Sequence, residues 1–183
     1  LFGGAFASMI VVMICEIQKY ITYKASTERY IYYQTCYLYQ ALFLMQQNIL
    51  DYLKNIEAEV PPGLLDETTR MIRCQLSALQ GTDYTPFSWQ NNLLTTHQEF
   101  CAKTVIEIEP ITHGYNALRI AINKVKMDFL LQNNSNKEVT SIYEPLRTML
   151  SIQFDRCSKA LEMVNGYLNI IDKHCKYRYN WIQ

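Results

Sequence analysis

The sequence predicts an all-α protein, and three observations carry that reading. Glycine and proline are scarce, at 6 and 5 of 183 residues. Apolar residues recur at helical spacing, and strand-like alternation is rare. Most telling, the 56 residues between Gly4 and Pro61 contain neither helix-breaking residue. A helix of that length would be a rod of roughly 80 Å.

The rod is expected over Ala5 to Val60 and ends at Pro61-Pro62-Gly63. Its polar part keeps an apolar stripe of Ile31, Leu38, Leu42, Met45, Ile49, Tyr52, Leu53 and Ile56. Leu64 to Gln80 reads as a second helix, with Leu65, Ile72, Leu76 and Leu79 inward and Gly81 closing it. Gly81 to Gln90 is an aromatic-rich loop. A third helix, capped by Asn91 or Asn92, is expected from Leu93 to Gln132 with a kink near Pro110 and Gly114. After the Asn133–Asn136 turn, the last helix begins near Lys137, bends or restarts at Pro145, and runs to Tyr179 with Gly166 as a weak point. The polar portion therefore folds as an antiparallel four-helix bundle, one helix being the lower half of the rod.

The amino-terminal end is expected to be a transmembrane helix, because Leu1 to Cys15 carries no charge. A span takes ~20 apolar residues. Either residues before Leu1 complete it, or Glu16 to Ile21 lies at the interface, with Lys19 and Lys24 snorkelling beside Tyr20 and Tyr23. A buried first helix of a bundle is the other reading. A cleaved signal peptide fits poorly, since no basic region leads. The expected domains are an anchor over 1–24 and a helical bundle over 25–183. Lys19, Lys24 and Arg29 flank the anchor, which is expected to be a single-pass helix with the bundle on the cytoplasmic side.

Composition narrows the function classes. With 17 basic and 17 acidic residues the chain has no net charge, which argues against a dedicated duplex-DNA binder. The cysteines at 15, 36, 74, 101, 157 and 175 form no C-x-x-C pair and read as reduced, mostly buried thiols. Seven of the 14 tyrosines fall between Tyr20 and Tyr39. Tyr32, Tyr33, Tyr37 and Tyr39 point around a helix, and such surplus aromatic surface marks an interface.

Candidate sites follow from spacing. Gly3 and Ala7, like Gly4 and Ser8, are four apart, the small-xxx-small pattern of closely approaching membrane helices. Glu16 and Lys19 can pair within one helix or across a ring of helices, where with Tyr23 they would line a pore mouth or subunit interface. His97 and Cys101 have a workable metal-ligand spacing, but only two ligands appear, so a core Cys beside a satisfied His is expected and no metal or other cofactor is assigned. His113 and Arg119 form a possible acid–base and phosphate-binding pair on one helix, against a hydrogen-bonded His at a kink. In the carboxyl-terminal segment, Lys173, His174, Lys176, Arg178 and Trp181 mix cations with aromatics. They suit single-stranded RNA, a partner subunit, or a basic helix end. Nothing points to a small-molecule substrate.

This layout, an uncharged amino-terminal helix joined to a helical bundle, resembles the small membrane accessory protein of type VI-B CRISPR loci, whose bundle is a diverged relative of HEPN ribonucleases. HEPN nucleases carry Arg, four to six residues, then His on the last long helix. Here Arg147 and Arg156 lie on that helix, but the late His174 is 18 residues beyond Arg156, so the motif is missing. The resemblance implies a non-nucleolytic, HEPN-like homo-oligomeric ring in the lipid bilayer of the bacterial inner membrane. Such a ring would form a pore that permeabilises or depolarises the membrane in antiviral defence, in concert with an RNA-guided nuclease or RNA. A membrane-tethered ribonuclease using Arg147 or Arg156 with His113 or His174, and a passive adaptor bundle, are the alternatives.

Overall fold

The computed structural model describes residues 2–55, 63–85, 91–132 and 140–174. They contain five helices: α1 (Phe2–Lys54), α2 (Gly63–Gln80), α3 (Asn91–Glu107), α4 (Glu109–Gln132) and α5 (Thr140–His174). The rod is one unbroken helix of 53 residues, about 80 Å long. Hydroxyls along it turn back to the helix's own carbonyls, as Thr35 does to Ile31 O at 2.7 Å, so they add no unpaired donor to the core.

The end of α2 at Gly81 is as expected, with Gly81 N donating to Ser77 O at 2.9 Å. The expected third helix is instead two. Pro110 has no amide hydrogen and its ring crowds the preceding turn. The buried Ile108 is the joint: its N–H closes α3 on Thr104 O at 2.9 Å, and its carbonyl accepts from Ile111 N at 3.0 Å in α4. By contrast α5 runs through Pro145 and Gly166 as one helix. The last turn expected at its carboxyl end lies outside the described residues.

Long-range pairs fix the directions. Tyr23 with Asp83 and Met45 with Thr68 set α2 antiparallel to α1. Tyr115 with Asp66 and Arg73 with Thr112 set α4 antiparallel to α2. His97 with Tyr167 and Gly114 with Gln153 set the α3–α4 rod antiparallel to α5, and Gln46 with Ser158 and Cys36 with Asp172 set α5 antiparallel to α1. Counting α3–α4 as one jointed rod gives an up-down-up-down four-helix bundle. The apolar stripe of α1 packs chiefly between α2 and α5 and joins one continuous core with Leu65, Ile72, Leu118, Leu150 and Val164.

One expectation is overturned. No helix among the described residues is long and apolar enough to cross a membrane. The transmembrane anchor assigned to 1–24, and the single-pass inner-membrane placement built on it, are therefore corrected. Glu16, Gln18 and Lys19 interrupt the apolar run short of the ~20 residues that a bilayer core demands.

Two glycines in the bundle differ in kind. A Cβ at Gly114 would lie 1.7 Å from Nε2 of the buried Gln153, so the Gln153 side chain occupies the space that a side chain at 114 would need. At Gly166 a Cβ would meet nothing within 4 Å. Gly166→Ala is expected to stabilise the protein by about 0.5–1 kcal/mol through helix propensity alone. A melting curve should rise by roughly 1–4 °C. An unchanged or lowered midpoint would contradict that surroundings-free view of Gly166.

Candidate functional site

The amino-terminal part of α1 is where the fold leaves chemistry unspent. From residue 8 onward, Thr27 is the first buried residue of the helix, and every residue from 8 to 23 is exposed. These 16 residues extend about 24 Å past the bundle. Met9, Ile10, Val11, Val12, Met13, Ile14, Ile17 and Ile21 each keep 46–67% of their surface in contact with solvent. Contiguous apolar surface of this extent marks an interaction site. The β-branched residues that dominate here are mediocre helix formers. A short helix without a packed face is marginal in water, so burial against something else is what the segment requires.

Its root is held by side chains. The Tyr23 hydroxyl donates to Asp83 Oδ2 at 2.9 Å, tying α1 to the turn after α2. Asp83 also accepts from the Thr85 hydroxyl and, at 2.9 Å, from the Thr85 amide. These bonds, the Thr85 hydroxyl foremost, hold its carboxyl below the usual carboxylate range. Beside this clamp lies an open groove of about 470 Å³ lined by Tyr23, Tyr30, Ala78, Thr82 and Asp83, among others. Further out, Lys19 and Glu16 pair within the one helix at 2.8 Å. The hydrogen bond to Glu16 raises the Lys19 pKa. Gly4 lies in α1 without its surroundings described, and Ser8 is exposed. Lower on α1, Tyr37 is exposed and Tyr33 marginally so, whereas Tyr32 and Tyr39 pack against the core.

The candidate catalytic residues are dispersed. His113 and Arg119 are both exposed on α4, and six residues of helix set them about 120° apart around its axis. Arg119 faces the Tyr115–Asp66 pair instead. That Tyr115 hydroxyl donates to Asp66 Oδ1 at 2.5 Å, and burial first, then this bond, raise its pKa. Arg147 is exposed, 3.7 Å from Glu144. Arg156 does reach α4, with Nη1 3.3 Å from where a Gly114 Cβ would stand, one residue from His113. Arg73 approaches the same turn and donates to Thr112 O at 3.2 Å, a contact the sequence did not announce. Lys173 is exposed near the end of α5, and His174 closes that helix. Lys176, Arg178 and Trp181 lie outside the described residues.

His97 and Cys101 belong to the core. His97 is buried and its Nδ1 is hydrogen-bonded to the Tyr167 hydroxyl. Phe100 stacks on Tyr167 with ring centroids 3.7 Å apart, and Cys101 Sγ lies 3.3 Å from the Tyr84 hydroxyl. Burial drives the Tyr84 pKa upward, helped by Cys101. Among the described residues no group of three potential ligands converges on a metal site. The five described cysteines are free thiols. Cys157 is buried, which pushes its pKa up to about 12, but Cys15 and Cys74 are exposed, against the expectation of a mostly buried set.

Comparison with protein-family models, with curated proteins and with solved structures gives no match. Nothing in those comparisons bears on the CRISPR resemblance. Function must be argued from the residues and their geometry alone.

Proposed function

We propose that this protein is a self-associating helical module, in which the bundle is the body and the projecting part of α1 is the assembly surface. One observation carries this: 16 consecutive exposed residues, rich in isoleucine, valine and methionine, on a helix continuous with the bundle core. Burying such side chains fully is worth about 1.5–3 kcal/mol each. Association must offset the entropy of joining two bodies, and several aliphatic side chains acting together are sufficient for that. The Tyr23–Asp83 clamp supports the reading because it orients the segment before any partner arrives, which lowers the entropy lost on docking. The catalytic alternative keeps only Arg156, which reaches the turn beside His113, while Arg119 and Arg147 are directed elsewhere.

Sedimentation of the purified chain over a wide dilution series tests the proposal. A reversible increase in mass with concentration is expected. A single monomeric species throughout would refute it.

A further inference from the structure

Within the bundle, a row of buried residues on α1 follows steps of four and three: Ile31, Thr35, Leu38, Leu42, and onward through Met45 and Ile49 to Tyr52, with the buried Thr27 and Ala41 flanking it. That is a heptad seam, the pattern that keeps one helix face against a partner. The same register, continued upward, passes through Glu28 and Lys24 and then meets Ile21, Ile17, Ile14 and Ile10. All four are isoleucine, and all four are 46–59% exposed where their counterparts below are at most 4% exposed. The seam outlasts the helices that cover it.

We infer that the missing cover is the same segment of a second copy, laid antiparallel. This rests on the self-association proposed above and names its geometry. Two arguments support it. First, the seam below Ile31 faces the chain's own α2 and α5. A parallel partner on that face would drive its bundle into this one, whereas an antiparallel partner carries its bundle to the far end. Second, antiparallel pairing matches each seam position of one type with the other type across the pair. With the two-fold axis between Cys15 and Glu16, Ile10 meets Ile21 of the second copy and Ile14 meets Ile17, so every layer is isoleucine on isoleucine. The arrangement is isologous and closes at two chains. The exposed Glu16–Lys19 ion pair lies off the seam, on the solvent side.

Disulfide trapping tests the register and direction together. The background is the full chain carrying Cys15→Ser, Cys74→Ser and Cys175→Ser, which removes the exposed thiols among the described residues and the one cysteine outside them. Ile10→Cys and Ile21→Cys are introduced in separate chains and oxidised with copper–phenanthroline, alone and mixed. Cross-linking is expected in the mixture and lost in either variant alone, and the unoxidised protein should sediment at twice the chain mass. Cross-linking of Ile10→Cys with itself would overturn the inference in favour of parallel pairing. A dimer that cross-links in none of the three samples would also overturn it while leaving self-association intact. A chain that stays monomeric but floats with phosphatidylcholine vesicles would overturn both, assigning the seam to lipid.

Discussion

Ile14→Asp combined with Ile17→Asp is expected to convert the assembled protein into a monomer without unfolding it. Both side chains are exposed in the single chain, so the substitutions remove no contact from the bundle core. Exposed changes of this kind usually alter stability by no more than about 0.5 kcal/mol. In the assembly the same carboxylates would be buried without a partner, and an uncompensated buried charge costs several kcal/mol. A loss of roughly 3 kcal/mol already weakens association more than ~100-fold. Sedimentation should therefore show loss of the larger species, while the thermal midpoint measured at monomeric concentrations stays within about 2 °C. Ile14→Val is the control: removing one methylene costs about 0.5–1.5 kcal/mol and should leave an assembly of unchanged stoichiometry. If the double Asp variant assembles like the parent, the projecting segment is not the assembly surface.

Tyr167→Ala should have the largest effect on the bundle itself. Tyr167 is buried, stacks on Phe100 and bonds to His97, so it joins α5 to α3 by both packing and polarity. Truncating a buried aromatic residue costs about 3–5 kcal/mol. A chain of this size should lose roughly 6–20 °C in thermal midpoint. Tyr167→Phe keeps the stack and removes only the hydroxyl that His97 Nδ1 bonds. The expected cost is about 1–3 kcal/mol, the penalty for leaving a buried polar group without its partner. Urea denaturation of both variants separates the two contributions. Equal midpoints for Tyr167→Phe and the parent would mean that the hydroxyl contributes nothing. Since the residue lies far from residues 8–23, its effect should add to that of the double Asp substitution.

Much of the bundle was legible because local rules and tertiary packing agree along it. The α1 stripe from Ile31 to Tyr52 is buried as its spacing indicated, and Gly81 closes α2 where a glycine should. Pro110 announced a disturbance, but a kink and a full break share one sequence signal, and only the bonds at Ile108 distinguish them. His97 was legible as a core residue. Its partner was not, because Tyr167 is 70 residues away and nothing local links them. The contact between Arg156 and the Gly114 turn was hidden for the same reason.

The candidate site shows the division most clearly. Sequence alone determined that the amino-terminal end is helical, apolar and continuous with the core helix, since those properties depend on composition and on the absence of Gly and Pro. It also carried the four-three register from Ile10 to Tyr52, which reading the segment as lipid-facing obscured. Whether that apolar face is covered depends on where the other helices stop. The turn after α2 meets α1 at the level of Tyr23 through Asp83, and beyond that level residues 8–22 of α1 are exposed. Burial is a property of pairs of elements and their relative lengths. Only the tertiary structure could therefore decide that one half of the seam lies inside the bundle and the other half stands open.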